Sequence, residues 1–224
     1  VAFDREGQDG PAATRSGMGA WMVSNRRRGG ESSAVRAALI DAAEGLIREG
    51  GYPAVTARNL AERVNLKRQI IHYYFQSMDD VFIAVIQKNA EAVKTRLRQA
   101  MASSEPLRAL EAVNRDPEQA ILAMESNALA NRRPAVRAQV ARSTHELRAL
   151  QTALLTQLLE QRGITPAMQP IVATVLMSGL AQVLALEAAI DVSSGHAETY
   201  AFVDACLRAF AEGRDPPFLT MNSG

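Results

Sequence analysis

The 224-residue chain predicts an all-α fold, and three observations carry that prediction. From Ser32 almost to the C-terminus, apolar residues recur at helical spacing. Pro106, Pro117, Pro134 and Pro166 each stand where such a run begins, a position where proline's missing N–H costs a helix nothing. No run alternates apolar and polar residues as a half-buried strand does. Together these give about nine helices, a count set by the number of periodic runs.

Taken in order, residues 1–31 hold six of the 14 glycines and show no period, so they read as a disordered tail. The tail ends in Arg26-Arg27-Arg28-Gly29-Gly30. In the first helix, Val35, Leu39, Ala42, Ala43, Leu46 and Ile47 form one apolar face. Ser32 or Ser33 caps its start and Gly50-Gly51 stops it. A short helix, 57–63, follows the cap Thr56. Val64-Asn65-Leu66 breaks the chain, and a second short helix spans 67–74. A long helix covers 79–102, followed by helices at 105–114, 117–131, 134–162, 167–190 and 196–212.

Composition narrows the function classes. No apolar run approaches the ~20 residues of a bilayer span, and the acidic N-terminus does not read as a secretory leader. We therefore expect no membrane partner. Cys206 is the only cysteine, which excludes an intramolecular disulfide and favours a reducing cytoplasm. His145 and His196 have no partners at ligand spacing, so no metal and no cofactor is expected. No phosphate loop, nucleophile elbow or carboxylate–histidine constellation points to an enzyme. The net charge of +1 discourages a nucleic-acid partner until it is divided along the chain. Residues 1–25 carry −1, residues 26–78 carry +4 and residues 79–224 carry −2. A basic segment on a slightly acidic, apolar body is the first functional clue.

Residues 56–75 carry the chemistry. Two short helices about a three-residue break suit a helix-turn-helix, whose second helix enters the DNA major groove. Thr56 caps the first helix, where a phosphate also binds well. Leu60 and Ala61 face inward, and small Ala61 lets the two helices approach. Asn65 takes the sharp turn, because Asn tolerates left-handed backbone. Leu66, Ile70 and Phe75 are the expected buried contacts of the second helix. The outward groups are Lys67, Arg68, Gln69, His72 and Tyr73, joined by Arg58 and Thr56 on the first helix. Arg and Lys suit guanine or phosphate, and Gln suits adenine. Arg26, Arg27 and Arg28 form either a phosphate-binding or minor-groove arm or a solvated tail.

On these features, residues 32–82 resemble the DNA-binding domain of the TetR family of bacterial transcription regulators. The shared features are the first helix ending at Gly51-Tyr52, then Thr56, Leu60-Ala61, Tyr74-Phe75 and the opening Asp79-Asp80-Val81. The chain departs from the family pattern at five positions. Asn65 replaces a turn glycine, Lys67 a serine-like cap and Gln69 a glycine. His72 replaces a tyrosine and Met78 a phosphate-contacting lysine. The resemblance implies a disordered tail at 1–31, a helix-turn-helix domain at 32–78 and a C-terminal ligand-binding and dimerisation domain at 79–224. It also implies a homodimeric repressor of a palindromic, double-stranded DNA operator, released by a small-molecule effector. The departures leave open a module that kept the fold and lost DNA binding.

The larger domain supplies two further expectations. Residues 167–190 are apolar nearly all round, and a body this small cannot surround such a helix, so a subunit interface is expected through 167–190 and 196–212. Gly179 and Ala181 would permit close helix approach. The effector pocket is expected among the helices at 79–102, 117–131, 134–162 and 167–190. Its candidate lining is Met101, Leu122, Met124, Asn127, Thr144, His145, Leu147, Met177 and Leu180. Such walls suit a mostly hydrophobic ligand.

Overall fold

A computed structural model of the chain describes residues 16–165 and 168–214, with side chains described from Ser33 onward. Among these residues the fold is all-α, with nine α-helices, one 3-10 turn and no strand. The helices are α1 (Ser16–Gly50), α2 (Ala57–Arg63), α3 (Arg68–Tyr74), α4 (Met78–Met101), α5 (Pro106–Asn114), α6 (Pro117–Ala130), α7 (Pro134–Gln161), α8 (Pro170–Ala188) and α9 (His196–Ala211). The 3-10 turn is Tyr52–Ala54.

Local chemistry explains most boundaries. Gly51 stops α1 at φ 69°, a left-handed value that glycine adopts without penalty. The Thr56 hydroxyl accepts the Asn59 N–H at 3.1 Å and starts α2. Asn65 takes φ 54° between α2 and α3, as the turn requires. Ser77 and Asp80 form a reciprocal capping box at the start of α4. Prolines open α5, α6, α7 and α8.

Three expectations are corrected. The backbone of 16–31 continues α1, where the glycines predicted an irregular tail. Ala20, Trp21, Met22 and the three arginines favour helix, and Gly29-Gly30 cost only about 1 kcal/mol each. Residues 1–15 of that tail lie outside the described residues. α8 opens at Pro170 rather than after Pro166, which itself lies outside the described residues. At 19 residues and mean hydropathy 1.8, α8 is also long and apolar enough to cross a bilayer by length and composition, contrary to the sequence reading.

One continuous core joins the N-terminal helices to the rest. Leu39 of α1, Leu60 of α2, Ile71 of α3 and Val81 of α4 pack in the same cluster as Leu122 and Leu129 of α6 and Val136 of α7. The α2–α3 pair therefore sits on the larger helical body through buried apolar contact. A second cluster, Leu97, Ala100, Leu110 and Val113, lies at the far end of α4.

Candidate nucleic-acid interface and adjoining cavity

The short helix α3 turns one apolar edge inward and leaves the rest to solvent. Ile71 and Phe75 are buried, at 1% and 3% exposure, and anchor it against the core. The expected anchors Leu66 and Ile70 do less: Leu66 is 37% exposed and Ile70 half-buried. A seven-residue helix has one strongly buried position per turn, and Ile71 occupies it.

The outward face holds Lys67, Arg68, Gln69, His72 and Tyr73, all exposed. Tyr73 is 77% exposed and stands edge-on to Tyr74, with ring centroids 5.0 Å apart. Electrostatics separate these cations from their neighbours. Arg58 Nε donates to Glu62 at 2.8 Å, and Arg48 donates to Glu44 at 2.6 Å. Arg63 forms a forked pair with Glu49, a bond that holds the Glu49 carboxyl below its ordinary range. Among the described residues, Lys67 and Arg68 have no acidic partner. The positive field of this segment is therefore concentrated at the start of α3.

The positions that depart from the family pattern have physical consequences here. Lys67 stands at the N-cap of α3 with no side-chain cap bond, so the first N–H groups of α3 face outward without a serine to satisfy them. Met78 packs against the core rather than reaching outward. Arg36 of α1 lies over the Phe75 ring at 5.1 Å, beside the end of α3. The side chains of Arg26, Arg27 and Arg28 lie outside the described residues.

α4, α6, α7 and α8, with the end of α5, line a half-open cavity of about 310 Å³, within the usual range for small-molecule sites. Asn127, Thr144 and Leu147 line it, as expected. The other candidates are dispersed. Leu122 is core, and Met101 packs on the second apolar cluster. His145 is exposed and Leu180 half-buried away from this cavity. Met124 lines a smaller cleft between α6 and α8, and Met177 a separate cavity. The sequence reading missed Asn89, Gln119, Ser143 and Gln182, which give this cavity more hydrogen-bonding character than expected. The Gln119 Oε1 is buried without a hydrogen-bond partner.

Helix α6 connects the cavity to the 3-10 turn that precedes α2. Its Ala123 and Asn127 line the cavity, and its Glu125 Oε2 accepts the Tyr52 N–H at 2.9 Å. Arg133 at the start of α7 pairs with Asp79 at the start of α4.

Comparison with known proteins agrees with this arrangement. The family model for bacterial regulatory proteins of the tetR family matches residues 39–85, which span α1 to α4. Residues 39–85 are thus a TetR-type DNA-binding segment. Within the matched segment, α2 and α3 form the helix-turn-helix pair. The HTH-type transcriptional regulator BetI of Burkholderia mallei is 38% identical over 90 residues, covering 38% of this chain and 46% of the relative. The chain thus matches about half the length of the curated relatives. Two solved structures share the fold. One is a Saccharomonospora viridis protein in complex with choline, at 16% identity and TM-score 0.61, covering 69% of this chain and 85% of that one. The other is the Bacillus subtilis transcriptional regulator FadR in complex with stearoyl-CoA, at 17% identity and TM-score 0.57, covering 69% and 87%.

Proposed function

We propose that the chain is a homodimeric repressor of a palindromic DNA operator, released when a small molecule occupies the cavity between α4, α6, α7 and α8. The observation that carries this reading is the outward face of α3, where unpaired Lys67 and Arg68 stand beside Gln69 and His72. One seven-residue helix reads too few base pairs, so two copies are needed, spaced by one helical turn of DNA. The DNA contacts are Lys67, Arg68, Gln69, His72 and Tyr73, with Thr56 and Arg58 on phosphate. Arg58 exchanges its exposed Glu62 partner at little cost, since such surface pairs contribute about 0–1 kcal/mol.

The effector is a small, mostly apolar molecule that also carries hydrogen-bonding groups. Val93, Val140, Leu147 and Val175 supply the apolar walls, and Asn89, Asn127 and Gln182 the polar ones. The complexes of the two structural neighbours with choline and with stearoyl-CoA support the idea of a small-molecule effector in this fold. Because Glu125 of α6 holds the Tyr52 N–H, a ligand that moves α6 also shifts the α2–α3 pair.

The test uses duplex DNA selected from genomic fragments by the wild-type chain. In a gel shift, Arg68→Ala/Gln69→Ala loses at least tenfold in affinity, since each good base contact is worth about 1–3 kcal/mol. Its circular dichroism stays that of the wild type. Unchanged affinity would overturn the assignment of α3. The inward packing of Met78 favours a second reading, a ligand-sequestering module without DNA. Failure of the wild-type chain to select any duplex at low salt, where phosphate contacts are strongest, would establish that reading instead.

A further inference from the structure

A second cavity, of about 440 Å³, lies at the far end of α4. Leu97, on its wall, is nineteen residues along α4 from Met78, about 28 Å of helix. The cavity sits between α5, the end of α7, the start of α8 and α9. It shares only Asn114 and Gln151 with the first cavity, and the 2.8 Å hydrogen bond between those two side chains forms the dividing wall.

Its chemistry differs from that of the first cavity. Leu107, Leu110, Leu155, Leu159, Ala173 and Met177 make most of the wall. The charged groups that reach it are already engaged, Glu111 with Arg115 and Arg214 with Glu212. The space persists because α9 is held at a distance. Among the described residues, α9 makes few close backbone approaches to any one helix. It buries Val203, Leu207 and Ala209 through side-chain contact, and polar struts add to that hold. Asp204 meets Arg108 and Arg115 at 3.8 and 3.7 Å. His196 meets Glu187 at 2.8 Å, and Arg162 donates to the carbonyls of Phe210 and Ala211. A half-open apolar space of this kind favours apolar guests over water, and leaving it unfilled forfeits packing.

We propose that this cavity binds an uncharged aliphatic chain, of the long-chain alcohol class, at a site separate from the effector cavity. The proposal is independent of DNA binding. A carboxylate head would have to displace Glu212 from its two-donor pair with Arg214, where Arg58 holds Glu62 through one donor, which is why the ligand is uncharged.

The chain's single thiol makes the test direct, because Cys206 lines this cavity and is half-buried. Alkylation of the full chain by N-ethylmaleimide is followed with and without 1-decanol up to its solubility limit. Decanol slows alkylation at least fivefold, and decanoate protects at least tenfold less effectively. Ala173→Phe fills the cavity and abolishes the protection. Ala123→Phe, in the first cavity, leaves it intact. Leu155→Trp replaces Ala173→Phe if circular dichroism shows that variant to be unfolded. An alkylation rate indifferent to decanol would overturn the site. Protection lost in Ala123→Phe and kept in Ala173→Phe would overturn its location, and equal protection by decanoate would overturn the uncharged class.

Discussion

At Gly51 two separate demands fall on one residue. The backbone is left-handed there, and an added Cβ would lie 2.9 Å from Glu125 Oε2. The same oxygen accepts the next residue's N–H, so the chain turns tightly around the carboxylate. Gly51→Ala therefore meets a backbone penalty of about 1–2 kcal/mol and also crowds a bond whose loss costs about 1.5–3 kcal/mol. We expect a loss of about 2.5–3.8 kcal/mol in urea unfolding at pH 7, the sum of those two ranges from their lower ends to their middles. In a Glu125→Ala background the steric part vanishes and only the backbone part remains. A double-mutant cycle reads that difference as a coupling energy, and strict additivity would show that Glu125 does not crowd this position. Arg133 shows a similar economy, pairing with Asp79 while its guanidinium lies over the Phe82 ring at 5.4 Å.

Among the elements, α6 carries the most obligations: it lines the first cavity, joins the core and holds Tyr52. Its start depends on Asp116, whose Oδ1 accepts from the N–H of Glu118 at 3.0 Å and of Gln119 at 3.4 Å. Arg96 of α4 donates to Oδ2 at 2.6 Å. Burial pushes the Asp116 carboxyl upward, but the Arg96 bond and the two backbone amides outweigh it, leaving it below its ordinary 3.8. A carboxyl lowered on folding adds stability that is fully present above its unfolded value and is lost as pH falls through the folded one. Asp116→Ala should therefore cost about 1–2 kcal/mol at pH 7, the range for a lost cap. In urea titrations the gap should narrow below about pH 4 and close at lower pH. A gap that stays constant from pH 7 to pH 3 would mean that ionised Asp116 does not hold α6. The cap was open to sequence reading in principle, since Asp precedes Pro117, yet its Arg96 partner lies twenty residues away on another helix. The same divide runs through the molecule. Thr56, Gly51, Asn65 and the prolines that open α5, α6 and α7 act on adjacent backbone, so their roles are legible in the sequence. Ile71 was mistaken for Ile70 because a one-residue phase error in a seven-residue helix moves the buried edge by a quarter turn. The Glu125–Tyr52 tie spans 73 residues, and both cavities arise where neighbouring helices fail to meet. Helical period alone does not encode either, and six of the nine expected pocket residues consequently lie away from the first cavity.

At the scale of the whole molecule, α8 is the helix whose apolar surface is least covered. Of its 19 residues only Thr174 and Leu184 are fully buried. Leu176 is 58% exposed, Val183 51% and Leu186 49%. An apolar strip along a whole helix exceeds what single chains usually leave to water, and a second copy of α8 across a two-fold axis would cover it symmetrically. Such pairing would set two α3 helices on one body, so that the unpaired Lys67 and Arg68 of each copy act on the two halves of one site. Leu176→Arg tests this at the scale where it matters. The side chain is mostly exposed in the single chain, so helicity should be retained. Across a paired α8 the same guanidinium would be buried without a partner, a change worth several kcal/mol. Sedimentation velocity at 10 µM should then show a monomer for the variant and a dimer for the wild type. The variant's affinity for the selected duplex should fall at least a hundredfold, since each head would bind alone. A wild-type chain that sediments as a monomer would remove the dimer from the proposed function. A variant that stays dimeric would place the two-fold axis away from Leu176. Loss of DNA affinity without loss of the dimer would instead mean that α8 acts on the spacing of the α3 helices from within one chain.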